Sequence, residues 1–161
     1  MNWWMSLWAA PAVLGFAMVF SVPRRTLPGI VTLAVAAHLL RSFAQEQGAA
    51  LPVASFIAAL FVGFTAAVVA PRMGQATSVF AFAPVIPLIP GTFMFEALTG
   101  LLDLTTGSVA DASAQVDTAV VDATIATMTI VALAVGTIGP TLLAGGRIAR
   151  LAHIEVTGLD G

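Results

Sequence analysis

Uncharged, strongly apolar stretches recur along this chain, each near the ~20 residues that a helix needs to cross a ~30 Å hydrocarbon layer. The first covers about residues 3–22 and ends just before Arg24 and Arg25, the first charges in the sequence. Further spans are expected at about 28–44, 49–70, 73–102 and 119–145. The pattern predicts an all-α integral membrane protein with about five transmembrane segments. They form one membrane domain, residues 1–150, followed by a short tail at 151–161. The second span is the least regular, because His38 and Arg41 interrupt it. The third contains Ala58, Ala59, Gly63, Ala66 and Ala67, small residues that let membrane helices approach closely. A polar Asp/Ser/Thr/Ala stretch between the fourth and fifth spans reads as a solvated loop.

Composition agrees with this pattern and removes several chemistries. Of 161 residues, 59% are hydrophobic and 9% charged, with mean hydropathy +1.01; a soluble domain carries about 25% charged residues. Without cysteine there is no disulfide framework, thiolate metal site or thiol nucleophile. Without lysine there is no P-loop lysine and no Schiff base, which argues against a nucleotide-driven pump or a pyridoxal enzyme. The arginines are scattered rather than gathered into a basic patch, so nucleic acid is not an expected partner. Asp111, Asp117 and Asp122 lack the alternating spacing of a calcium loop, and no nucleophile motif frames any serine. The expectation is a protein that is not an enzyme and holds no metal or cofactor.

Arginine placement decides between four spans and five. Cytoplasmic flanks are enriched in Lys and Arg. With five spans, Arg24, Arg25, Arg72, Arg147 and Arg150 fall on one side and only Arg41 on the other, beside Glu46, Asp103, Asp111, Asp117 and Asp122. Omitting the second span would split the arginines evenly. The expected topology has the N-terminus outside and the C-terminus in the cytoplasm, in the cell inner membrane. Trp3, Trp4 and Trp8 fit an interfacial anchor at the outer end. A cleaved signal peptide would place its basic residues before the apolar run, and here they follow it.

The most informative stretch is Pro84-Val85-Ile86-Pro87-Leu88-Ile89-Pro90-Gly91, three prolines at spacing three followed by glycine. Each proline removes an amide donor, clashes with the carbonyl four residues back, and biases the residue before it away from the helical region. The fourth segment is therefore expected as two half-helices joined by an extended Pro-x-x-Pro-x-x-Pro-Gly turn. Non-helical backbone at membrane depth is tolerated only where protein or a watery cavity satisfies it, so the break points at a site. Free amides of Gly91, Thr92 and Phe93 at the start of the second half-helix would suit a carboxylate. Broken helices hold substrates in many secondary transporters. Pro87, Pro90, Gly91, Thr92 and Phe93 are the candidate substrate-binding residues; a kinked helix that merely packs is the architectural alternative.

The stretch PAVLGFAMVFSVPRRTLPG from Pro11 to Gly29, the pair Ala37-His38, the FVG at 61–63 and the PVIPLIPG motif together resemble the small membrane subunit of the threonine/serine exporter family. The likeness covers about residues 9–150. It implies a two-chain transporter in which this chain pairs with a larger subunit carrying a cytoplasmic hydrolase-like domain, and it implies export of threonine and serine. Some two-chain members are associated with succinate instead, so the resemblance leaves a dicarboxylate substrate open. A non-transporting assembly subunit, whose small-residue faces bind other helices, is the alternative from a different class. Glu96 departs from the family pattern and inherits no role from it.

Four polar groups then carry alternatives. Glu96, five residues past Gly91, is a candidate for proton coupling or for meeting an ammonium group, or else an idle interfacial carboxylate. His38 is a second proton-coupling candidate, against a hydrogen-bonded packing role. Arg41 is expected to snorkel to the outer interface, with pairing to Glu46 or to a substrate carboxylate as the other reading. Five spans cannot readily enclose a pathway, so an oligomer with the larger subunit is expected, with lipid around it.

Overall fold

The computed structural model describes residues 9–19, 22–107 and 112–157, with side chains described as far as residue 143. Among these residues the chain is helical, with no strand: α1 (Ala9–Val19), α2 (Leu27–Glu46), α3 (Leu51–Arg72), α4 (Thr77–Val85), a 3₁₀ turn (Ile86–Leu88), α5 (Gly91–Thr106) and α6 (Ala112–Thr157). Three helices, α2, α3 and α6, are long and apolar enough to cross a membrane. The bent pair Thr77–Leu88 and Gly91–Thr106 makes a fourth candidate. The described part of the first span is an apolar helix of 11 residues. Trp3, Trp4 and Trp8 lie outside the described residues.

The doubtful second span is a full helix of 20 residues, entered through Pro28 in its first turn, where a missing amide costs no hydrogen bond. It joins α3 through a glycine-capped turn. Gly48, at φ +88°, donates to the Gln45 carbonyl while Ala49 donates to that of Ala44, so the last carbonyls of α2 are satisfied as the chain reverses. The same device ends α3, where Gly74 at φ +62° bonds Pro71 and Gln75 bonds Ala70. These reversals set α2 antiparallel to α3 and bring Arg24, Arg25 and Arg72 to one end of the bundle, with Glu46 at the other.

Two clusters form the interior. One joins Val13, Ala17, Ile30, Ala34, Ala66, Ala70 and Phe80 toward the arginine end. The other joins Leu33, Ala37, Ala58, Ala59, Val62, Val85, Leu88 and Leu133 in the middle. The small face expected on the third span is used within this chain. An added Cβ on Gly63 would lie 2.7 Å from the Thr137 carbonyl oxygen, and one on Gly136 would lie 2.8 Å from the Ala59 Cβ. Thus α3 and α6 run side by side at backbone contact, and Ala59 and Gly63 are occupied by α6. By contrast Met128, Val131, Val135 and Leu142 on α6, and Phe95 and Leu98 on α5, face outward. Lipid or another membrane chain satisfies such faces.

One expectation is corrected. The polar stretch after the fourth span is largely helical rather than a loop: α5 continues through Asp103 to Thr106, Gly107 takes a left-handed conformation, and α6 has begun by Ala112. Alanines at 112, 114 and 119 and bonds from Thr118 and Thr124 back to carbonyls four residues earlier fit a helix in spite of the polar composition. The helix that carries the fifth span runs past 145. It continues to Thr157, 46 residues in all, or about 69 Å at 1.5 Å per residue.

Candidate functional site

The proline motif sits at mid-depth in the bundle. α4 begins beside the arginine end, where Phe80 packs with Ala66 and Ala70, and its continuation brings Val85 and Leu88 against Ala37, Ala58 and Val62. The two halves of the fourth segment meet at 54°. The joint is tighter than the extended turn expected from the sequence. Helix continues through Pro84 to Val85, a 3₁₀ turn follows, and only Ile89 is extended (φ −62°, ψ 131°). Pro84 fits because Ala83, which precedes it, stays helical within a buried cluster; tertiary packing outweighs the local bias.

Pro90, at φ −80° and ψ 63°, is the centre of an inverse γ-turn in which the Gly91 amide donates to the Ile89 carbonyl at 2.9 Å. That amide is therefore engaged, contrary to the expectation that it would be free. The amides of Thr92 and Phe93 belong to the first turn of α5, where no intrahelical acceptor exists. The first bond back from this turn is Met94 to the Pro90 carbonyl, at 3.1 Å. Gly91 and Thr92 are exposed, Phe93 and Pro87 half-buried, and Pro90 buried. A Cβ placed on Gly91 would meet nothing within 4 Å.

Arg41 comes to this joint from α2. Its Nη1 donates to the Leu88 carbonyl at 2.7 Å. Had the helix continued past Leu88, Thr92 would have supplied that bond; the break orphans the carbonyl and the guanidinium takes it. Arg41 thus reaches inward rather than snorkelling outward. His38 lies three residues earlier on the same helix, half-buried and engaged in an interaction of its own. The one signal of this role in the sequence was a lone charge in an apolar helix, opposite a motif that had to leave carbonyls unpaired.

Glu96 stands apart from the joint. It lines a cleft of about 450 Å³ between α5 and α6 with Thr99, Gly100, Gln115, Thr118, Ala119 and Asp122. Gly100 makes that cleft possible, since a Cβ there would come within 3.2 Å of the Ala119 Cβ and the Gln115 amide nitrogen. Asp122 was read from the sequence only as an outer-turn charge; the hairpin of α5 and α6 brings it into the Glu96 cleft. Neither His38 nor Arg41 contributes to it. A second cavity, about 300 Å³, lies against the joint itself and is lined by Phe82, Val85, Ile89, Met94, Ile130, Leu133, Ala134 and Thr137. It is apolar except for Thr137, whose hydroxyl donates to the Leu133 carbonyl. Among the described residues there is no cluster of three or more His, Asp or Glu able to hold a metal ion.

This arrangement has a counterpart among known sequences. The family described as Threonine/Serine exporter, ThrE, matches residues 5–143. An uncharacterized protein of Haemophilus influenzae is 30% identical over 98 residues, which take in 61% of this chain and 33% of that protein's length. No solved structure matches the chain. The match runs from the first apolar stretch through the proline joint into α6 and so reaches every helix of the bundle, and the chain is a multi-pass membrane protein that belongs to the threonine/serine exporter family of transporters.

Proposed function

We propose that this chain is the membrane subunit of a secondary exporter for threonine and serine, working with a larger subunit of the same family in the inner membrane. Its N-terminus lies outside and its C-terminus in the cytoplasm. The observation that carries this reading is the bent pair at mid-depth: a half-helix that begins inside the bundle presents unpaired amides and a positive dipole end where a solute carboxylate can reach them. Pro87 and Pro90 hold the joint, Thr92 and Phe93 supply the amides, and Gly91 leaves the approach open. Glu96, which lines the α5–α6 cleft with Asp122, is the proposed carrier of a coupling proton.

The test is efflux from the native host. Cells preloaded with radiolabelled threonine should lose it more slowly when this chain is deleted and recover on its return. Unchanged threonine and serine efflux with impaired succinate efflux would replace the amino-acid reading by the dicarboxylate one. Glu96→Gln should abolish gradient-driven efflux while threonine–threonine exchange persists, since exchange needs no net proton movement. Equal loss of both modes would remove Glu96 from the coupling role.

A further inference from the structure

Arg41 is a cation within a helix that is otherwise apolar from Leu27 to Ala44 apart from Thr32, His38 and Ser42, and what it touches is a neutral carbonyl. A charge at membrane depth is costly unless an opposite charge or several dipoles meet it. The guanidinium carries five N–H donors in a rigid fork, and one carbonyl oxygen cannot use them all. The side chain is half-buried, and its fork has more donors than the Leu88 carbonyl takes. The bond to Leu88 also fixes where they are. Leu88 is fully buried and lies three residues before Gly91, so the fork is anchored at the entrance to α5.

A second polar group lies at the same depth. Arg41 and Ser55 are each seven residues from Gly48, the turn of the antiparallel α2–α3 hairpin. The Ser55 hydroxyl is wholly buried and has no hydrogen-bond partner. Ser55 is one turn from Ala58 and Ala59, which pack with Leu88. A buried hydroxyl left without a partner is destabilising.

We propose that Arg41 binds the carboxylate of the transported solute at the proline joint, holding the Leu88 carbonyl with one nitrogen and the solute with the rest of its fork. The inference rests on the exporter reading and adds to it a binding residue from a different helix. Planar, two-point recognition of a carboxylate is what a guanidinium does and an ammonium does not. Arg41 then serves both halves of the site, setting the geometry of the joint and supplying the counter-charge.

The experiment compares each acid with its own amide, in membrane vesicles from the native host carrying wild-type or variant chain in place of the chromosomal copy. The pairs are L-threonine with L-threoninamide, and succinate with succinamate. Wild-type transport should favour the acid by about tenfold or more in apparent KM, the scale of one charge-assisted contact. Arg41→Gln should reduce that preference to about twofold or less, whatever happens to Vmax, and Arg41→Lys should retain part of it. A merely structural arginine would lower transport of acid and amide alike, so an unchanged preference in Arg41→Gln overturns the proposal. If Arg41→Gln does not accumulate, an unaltered preference in Arg41→Lys does the same. Failure of the exporter reading is a different result: wild-type vesicles would then move none of the four compounds.

Discussion

The α3–α6 contact and the α4–α5 joint both depend on glycine, for opposite reasons. Gly63 and Gly136 have no room. A single methyl group on either would meet backbone oxygen at 2.7–3.0 Å, so these positions fix how closely two long helices lie. Gly91 has nothing around it within 4 Å and marks open space in front of a half-helix. Two long helices held at backbone contact form one region; a half-helix preceded by three prolines forms the other. Small residues in a membrane sequence therefore do not by themselves say whether a face is closed or open.

Substitutions at the glycines can break this contrast. The largest effect is expected from Gly136→Val, which drives two methyl groups into Ala59 and the Phe56 carbonyl and should cost about 3 kcal/mol or more. It should be read as a lower yield of monodisperse protein and a lower thermal midpoint in detergent. Gly63→Ala should follow at about 2 kcal/mol, because the atoms it meets are backbone and cannot rotate away. Equal tolerance of alanine at Gly63 and Gly91 would dissolve the distinction between the two regions. Gly48→Ala, in open space at φ +88°, should cost only about 1 kcal/mol of left-handed strain. Gly91→Ala should stay within about 0.5 kcal/mol of wild type. Gly91→Val should likewise assemble normally, yet lose most of its efflux per assembled protein as the branched side chain obstructs a solute. Normal efflux from Gly91→Val would remove the proposed binding surface and leave the joint as architecture.

Much of the fold was legible because the signals are local. Apolar run lengths placed α3 and α6, the distribution of arginines kept α2, and the proline spacing placed the bend of the fourth segment. What escaped were features set by contacts between distant residues. Pro84 stays inside α4 because the cluster around Ala83 and Phe80 holds it there. The stretch after Asp103 looked like a loop by polarity, although the alanines at 112, 114 and 119 favour helix. The Gly91 amide looked free from its place after Pro90, and a γ-turn engages it. Arg41 was visible as a charge, but its target, the Leu88 carbonyl 47 positions away, belongs to another helix. Asp122 shares a cleft with Glu96 because α5 and α6 form a hairpin.

The three prolines also decide how this molecule can move. An ordinary helix resists bending because changing its angle stretches a ladder of hydrogen bonds. At the joint the ladder has lost its rungs at positions 84, 87 and 90, and the bonds that bridge the break are Ile89 to Ile86, Gly91 to Ile89, Met94 to Pro90 and Arg41 to Leu88. Changing the 54° angle therefore means moving α5 along α6, against which it packs at Gly100 and Ala119.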